Sequence, residues 1–523
     1  MSSRPESLNA EERTPSRIAG LASVVEWPLI ALCAVVGSVL RFAPASPMWL
    51  DEALTVNIAA APLAEIGGLL RRDGHPPLYY FVLHGWIEIF GTGAGAVRAL
   101  SGIVGLGLLA MVAVVGRRHG GPRLAGFTVA IVAVSPFAVR YSSEARMYEL
   151  VSLLALVGWW LLDRALDPAR SRRGVLAGLW LVSGALLLTH YWAMFLLAAT
   201  GLGILWSAWR APTPAQRRRS LEAAVAIAAG GVWFVPWVSA FAYQAAHTGT
   251  PWAKASRPTR VVSESFVDWA GGTGPEAVLL IAALAALLAM GLFGRVHEGR
   301  LELGPVGDGW RRRALWIIGA TFAIGAAAST LSAAAYAGRY SSVIYPFAML
   351  LVGAGLAGLP TPFVRVSALA VIAMLSLASI GLALKSDRTQ AGEVGAELRR
   401  AARPGDLVVV CPDQLGPAIQ RLAPTDVRVV RTPDLGDPRF VDWVDYADRQ
   451  AASSVSVVAD RILATAGTGT IWLVWSGSYR LAGPQCDELA GRLSAIRPGT
   501  SPEVQADPAK YFESASLIRL VAR

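Results

Sequence analysis

Two carboxylates stand side by side in "PMWLDEALTV" (47–56), directly after the first long apolar run of the chain. Adjacent acids at the lip of a membrane helix can divide two tasks. One removes a proton from a substrate hydroxyl, and the other orients it or holds a cation. If Asp51 starts a helix, its side chain and that of Glu52 diverge by about 100° and meet different partners. A structural reading stands beside this one, in which Asp51 caps the helix and favours the positive end of its dipole. The next polar motif is "RRDGHPPLYY" (71–80). Pro76 and Pro77 stiffen the backbone and can hold His75 at the membrane surface as a donor or a general acid/base. The plainer reading is a turn with Tyr79 and Tyr80 as interfacial anchors.

Arg98, Arg140, Arg146 and Arg339 fall at the outer ends of apolar runs, on the side where positive charge is disfavoured. Guanidinium forks bind phosphate through paired hydrogen bonds. Several of them beside a carboxylate pair suit the phosphate of a lipid-linked substrate, whereas any one alone is accounted for by snorkelling. "RYSSEARMYEL" (140–150) adds Glu144. Its i, i+4, i+8 spacing sets Arg140, Glu144 and Tyr148 on one face if the segment is helical. Glu144 then pairs with Arg140, or holds an acceptor hydroxyl or a cation. His190 and Tyr191, at another outer helix end, are candidates to line the same cavity.

The elements that must position these residues are membrane helices. Of 523 residues, 54% are hydrophobic and 16% charged, against roughly 25% charged in soluble domains. Mean hydropathy is +0.46. Spans of about 20 apolar residues are expected at 21–43, 97–116, 123–139, 148–163, 174–190, 192–209, 221–241, 276–293, 314–334, 343–359 and 366–384, about eleven in all. The loops alternate. Arg-rich ones such as "DRALDPARSRRG" and "RAPTPAQRRRS" are expected in the cytoplasm and the others outside. The net charge of +10 sits in these clusters, and no concentrated basic patch with interleaved aromatics points to nucleic acid. The segments 51–74 and 75–91, within a first external loop at 44–96, read as short helices on the outer face.

From about Lys385 the composition becomes that of a soluble domain. The runs 406–412, 427–432, 470–477 and 516–523 read as strands, with helices between them. The expected organisation is a cytoplasmic tail (1–20), a transmembrane domain (21–384) and an extracytoplasmic α/β domain (385–523). Cys33 reads as packing. Cys411 and Cys486 pair if their portion lies outside the cytoplasm and stay free thiols otherwise. No Cys/His spacing reads as a zinc site.

"WLDEA", "HPPLYY", "RALSGIVGLGLLAMVAVVGRRHGG" and "SPFAVRYSSEARMYEL", in that order, resemble the C-type (GT-C) integral-membrane glycosyltransferases, nearest the protein O-mannosyltransferase and lipid A aminoarabinose transferase group. The likeness covers about 25–165 by motif and 1–384 by architecture; the C-terminal portion departs from the protein O-mannosyltransferase pattern. The resemblance implies an inverting transfer of a monosaccharide, mannose or arabinose, from a polyprenyl-phosphate donor to an extracytoplasmic hydroxyl. It implies Asp51 as the base, matched to the first acid of the family's D-E pair, and Glu52 beside it. Arg98 and His75 match the family's Arg and its H-P-P histidine; with Arg146 and Arg339 they are expected to hold the donor phosphate. Glu144 sits where relatives carry an acid. The acceptor is a glycan, a lipid or a protein. No cofactor is required, and a divalent cation is the one addition the acidic pair allows. The implied location is a bacterial plasma membrane, in the cell envelope, with the N-terminus inside. A transporter and a non-catalytic receptor for lipid or glycan are the rival readings. The former is disfavoured because the polar candidates lie at helix ends rather than at mid-depth.

Overall fold

Long apolar runs fold as helices because a chain surrounded by lipid must satisfy its backbone N–H and C=O groups internally. The computed structural model describes residues 17–43, 46–169, 172–249, 257–297, 300–307, 309–331, 335–497 and 502–522; most of the expected tail lies outside them. Helix α1 (Arg17–Leu40) is followed by three shorter helices, α2 (Leu50–Ala59), α3 (Leu63–Asp73) and α4 (Leu78–Phe90), and then by α5 (Ala94–Ala133). α5 is two rods: Gly120 and Gly121 leave helical geometry, and the φ of +70° at Gly121 suits glycine alone. The rods correspond to the separate runs at 97–116 and 123–139. α6 (Pro136–Ser142), α7 (Tyr148–Leu166), α8 (Arg173–Thr189) and α9 (Trp192–Trp209) follow. α10 (Pro214–Ala229) continues through a tighter segment, Gly230–Trp237, into α11 (Val238–His247). Next come α12 (Pro258–Trp269), α13 (Pro275–Phe293), the hairpin of β1 (Gly294–His297) and β2 (Arg300–Leu303), α14 (Gly309–Leu331), α15 (Tyr345–Ala357) and α16 (Pro362–Lys385).

Among the described residues six helical segments are long and apolar enough to cross a membrane by length and composition: Ala94–Ala133, Trp192–Trp209, Pro214–His247, Pro275–Phe293, Gly309–Thr330 and Pro362–Lys385. Val24–Leu40, Arg173–Thr189 and Tyr345–Ala357 are shorter apolar helices. The chain is a multi-pass membrane protein. Rows of large apolar side chains face outward, including Leu32, Val35 and Val39 on α1 and Leu202, Trp206 and Trp209 on α9, as expected where the solvent is lipid.

The remaining elements are α17 (Ala391–Ala401), β3 (Leu407–Cys411), α18 (Gly416–Leu422), β4 (Arg428–Arg431), α19 (Tyr446–Ala451), α20 (Val455–Ala466), β5 (Ile471–Trp475), α21 (Gly483–Ile496) and β6 (Ser516–Leu520). The sheet order is β4-β3-β5-β6, with β3 parallel to both β4 and β5, and β6 antiparallel to β5. "LVVVC" in β3 does not alternate because both faces of the sheet are covered. Val408, Val410 and Trp472 join a core continuous with the membrane helices, while Val409 and Leu473 pack with Ile462 of α20 and Leu489 of α21. Cys411 and Cys486 form a disulfide, and Cys33 is buried.

Two sequence readings change here. α2 does not lie on an outer surface: an exposed surface helix keeps one face open, yet Glu52 through Ala59 are all buried. The C-terminal layer covers it. Asn57 Nδ2 donates to the Arg439 carbonyl at 2.9 Å, and Arg421 donates to Asn57 Oδ1 at 3.1 Å. Nor do Arg140, Glu144 and Tyr148 share a helical face, because α6 ends at Ser142 and α7 starts at Tyr148, with a turn between. α4 does behave as an amphipathic helix, with Tyr79, Tyr80, Leu83 and Ile87 buried and Phe81, Val82, Ile89 and Phe90 exposed. Tyr79 and Tyr80 are therefore core residues rather than interfacial anchors.

Candidate active site

α2 begins with its two acids in the first turn, where the helix dipole favours them, and the helical rotation turns them to different partners. Glu52 is buried in a two-bond fork with Arg98: Nε to Oε1 at 2.8 Å and Nη2 to Oε2 at 2.7 Å. Its Oε1 also accepts from the Ala145 N–H at 3.1 Å, and Arg98 Nη1 donates to the Ser46 carbonyl at 2.8 Å. This pair ties α2 to the outer end of α5 and to the turn after α6.

Asp51 faces the other way. Its Oδ2 lies 3.7 Å from Arg339 Nη2 and 4.0 Å from Arg146 Nη2, close enough for strong attraction but without a hydrogen bond. That oxygen is buried and has no hydrogen-bond partner among the described residues. Burial acts to raise the Asp51 pKa, but the Arg146 and Arg339 guanidinium groups, with Arg388 beyond them, hold it below the usual aspartate range. The carboxylate is thus ionised, desolvated and open on one oxygen.

The turn before α4 delivers His75. Gly74 ends α3 with φ +94°, and a Cβ there would sit 3.0 Å from Thr248 Oγ1, so glycine alone fits comfortably. Arg146 Nη2 lies 3.1 Å from His75 Nε2, and His75 Nδ1 lies 2.8 Å from Asp73 Oδ2. A guanidinium only donates, so Nε2 accepts and Nδ1 carries the proton given to Asp73. His75 in this state holds Arg146 in place. Arg146 Nη1 also donates to Thr55 Oγ1 at 2.7 Å and to the Asp51 carbonyl at 3.3 Å, and Arg146 stands over the Tyr148 ring.

Glu144 bonds Arg140 Nε at 3.2 Å and is also paired with Arg388; Arg140 reaches Asp268 at 3.2 Å. Burial acts to raise the Glu144 pKa, and Arg388 and Arg140 more than offset it, so it too is held low. Arg140, Glu144 and Arg388 line a cavity of about 210 Å³ with Trp49, Glu52 and Arg98, walled by Ile380, Ala383 and Leu384 of α16. His190 packs on Tyr148 and Tyr340 at ring distances of 5.7 and 5.2 Å, beside Arg339. Tyr191 is one layer removed: its hydroxyl bonds Gln244 and accepts from Trp237 Nε1 at 3.0 Å, and Gln244 in turn holds the Leu70 carbonyl under α3.

Sequence reasoning did not single out Thr55, Asp73, Arg388 or Glu513. Asp73 lies inside the quoted "RRDGHPP" and its proximity to His75 is a readable signal. Arg388 and Glu513 come from the far end of the chain, and no local spacing marks them. Among the described residues no group of three or more His, Cys, Asp and Glu side chains is placed to hold a metal ion.

The succession of helices that carries these residues shares its fold, the GT-C fold, with solved membrane-protein structures. The apo crystal structure of ArnT from Cupriavidus metallidurans superposes with a TM-score of 0.61 at 14% identity, over 96% of this chain and 99% of that one. The same protein bound to undecaprenyl phosphate gives 0.58 at 14% identity over the same shares. The Archaeoglobus fulgidus oligosaccharyltransferase with zinc and sulfate gives 0.51 at 10% identity, over 88% of this chain and 70% of that one. Residues 74–239 match the family described as dolichyl-phosphate-mannose-protein mannosyltransferase. That segment contains His75, Arg98, Glu144 and Arg146, and lies between Asp51 and Arg339. No curated protein matches the sequence.

Proposed function

We propose that the chain transfers a monosaccharide, mannose or arabinose, from a polyprenyl-phosphate donor to an acceptor hydroxyl on the extracytoplasmic side of the membrane, with inversion. The observation that carries this reading is the unpartnered Oδ2 of Asp51 beside two guanidinium groups. An ionised base with a free acceptor position adjoins a site for an anion, and both are needed on either side of one anomeric carbon. The undecaprenyl phosphate bound to ArnT, a structure of the same fold, agrees with a lipid-linked donor.

In this scheme Arg146 and Arg339 hold the donor phosphate. The acceptor oxygen attacks the anomeric carbon as its proton passes to Asp51 Oδ2. The bond from the anomeric carbon to the phosphate oxygen breaks, and the electron pair leaves with polyprenyl phosphate, whose charge the two guanidinium groups neutralise. Binding of the phosphate draws their field away from Asp51, which raises its proton affinity at the moment it must act as a base. Arg98 and Glu52 keep α2 in register, and His75 keeps Arg146 aimed. Arg140 and Glu144 line the neighbouring cavity, which we assign to the acceptor, be it glycan, lipid or protein. The scheme requires no cofactor, because the guanidinium groups supply positive charge at the phosphate, and a divalent cation at the acidic pair is the one addition it accommodates.

The topology belongs to the same reading: eleven crossings, a cytoplasmic tail (1–20), a transmembrane domain (21–384) and an α/β domain (385–523) outside, in a bacterial plasma membrane. The Cys411–Cys486 disulfide supports an oxidising compartment for that domain. The test is a panel of polyprenyl-phosphate sugars offered to the protein in proteoliposomes. Consumption of one donor with release of polyprenyl phosphate is expected, and a panel left untouched overturns the reading.

A further inference from the structure

The helix that carries Asp51 is capped from the far end of the chain. A helix starts with N–H groups that have no partner inside it, and Trp49, the residue before α2, provides no side-chain acceptor. The Leu50 N–H instead meets both carboxyl oxygens of Glu513, at 3.0 and 3.1 Å, across 463 residues of sequence. Glu513 is itself fixed. Its N–H donates to the Arg388 carbonyl at 2.8 Å, and its carbonyl accepts from the Gln390 N–H at 2.9 Å. The Arg388 guanidinium lies 3.8 Å above the Trp49 ring and reaches on to Glu144. The last residue before α2 and the first N–H within it are therefore both gripped by the C-terminal layer and the linker that leads to it.

We infer that Glu513 and Arg388 are positioning residues for the transfer proposed above, so that the C-terminal layer sets where the Asp51 carboxylate stands between Arg146 and Arg339. The inference rests on that proposed function for its kinetic readout, and on the cap geometry alone for its structural one. The grip is sensitive to charge. Burial pushes Glu513 up to about 8; the Leu50 N–H, Arg388 and Thr389 oppose the rise, and Asp51 adds to it. The Tyr479 hydroxyl is the other titratable group that faces it. Burial therefore favours the neutral acid, and its ionisation as pH rises places a second negative charge against Asp51.

The experiment uses the full chain in proteoliposomes, with Glu513→Ala and Glu513→Gln compared with the parent. Glu513→Gln keeps a carbonyl acceptor for Leu50 and cannot ionise. Glu513→Ala is expected to lower kcat roughly 10- to 100-fold with donor KM little changed, the cost of a base displaced by a fraction of an ångström to an ångström. Glu513→Gln is expected to restore most of kcat at pH 7 and to abolish the inflection near pH 8 in the kcat profile. Hydrogen exchange on the same samples should show the first-turn amides of α2 losing protection in the alanine variant and keeping it in the glutamine variant. Parental kcat and protection in Glu513→Ala, or a glutamine variant as impaired as the alanine one, overturns the inference. If Glu513→Ala does not fold, the glutamine variant decides: loss of the alkaline inflection supports the inference and its retention overturns it. If the parent consumes no donor, the proposed function fails, and hydrogen exchange still decides the cap.

Discussion

Asp51 and Glu52 differ by one position in sequence and by almost everything in environment. The Asp51 carboxylate is attracted by two guanidinium groups at 3.7 and 4.0 Å and hydrogen-bonded by neither, whereas Glu52 spends both oxygens on Arg98. Two predictions follow from that contrast. The acid limb of kcat/KM reports free Asp51, held below the usual aspartate range by its arginines. The acid limb of kcat reports the donor complex, in which the phosphate has taken up that positive field. A base is lost when it is protonated, so a raised pKa moves the limb to higher pH. The kcat limb should therefore lie above the kcat/KM limb, and pH–rate profiles with coincident limbs would contradict the assignment. Glu52→Gln breaks a buried ion pair and leaves Arg98 without its counter-charge, at a cost of about 3–5 kcal/mol. A large fall in thermal midpoint is expected for it. If that variant instead kept its midpoint and lost only turnover, Glu52 would have to be moved from scaffold to chemistry.

The elements around these residues were legible to different degrees. Helical runs could be read because apolar length is a strong signal, and the paired acids and the His75 turn could be read because Pro and Gly mark the backbone around them. The break between α6 and α7 could not: "SSEAR" carries no proline or glycine, and the i, i+4, i+8 spacing there matched a helix that stops at Ser142. The burial of α2 was hidden for another reason. Its cover, the Asn57 contacts with Arg421 and Arg439, is supplied some 364 and 382 residues later, beyond any window of periodicity. At this scale Gly74 is the testable hinge. Gly74→Ala must force a side chain into φ +94° against Thr248, which costs about 1 kcal/mol or more. The turn would move His75 and release Arg146, so donor KM should rise along with the loss of stability. A variant with unchanged donor KM would show that His75 does not set the aim of Arg146.

Across the whole molecule, the membrane helices and the α/β layer share one apolar core and one site. Val408, Val410 and Trp472 of the sheet belong to the same cluster as Tyr79, Val97 and Tyr148. The four strands of the layer could be read from their apolar runs, but nothing in the sequence joined Arg388 and Glu513 to Asp51, because that join is made only in three dimensions. The disulfide between Cys411 and Cys486 closes a separation of 75 residues within the layer. Replacing both cysteines by serine should lower stability by roughly 2–4 kcal/mol, read as a fall in thermal midpoint, and an unchanged midpoint would show that packing alone holds the layer. The central claim is that Asp51 takes the proton of the acceptor hydroxyl, and Asp51→Asn in the proteoliposome transfer assay tests it most directly. The account predicts a folded protein that still binds polyprenyl phosphate and turns over about 10²–10⁴-fold more slowly; transfer at close to the parental rate would contradict it.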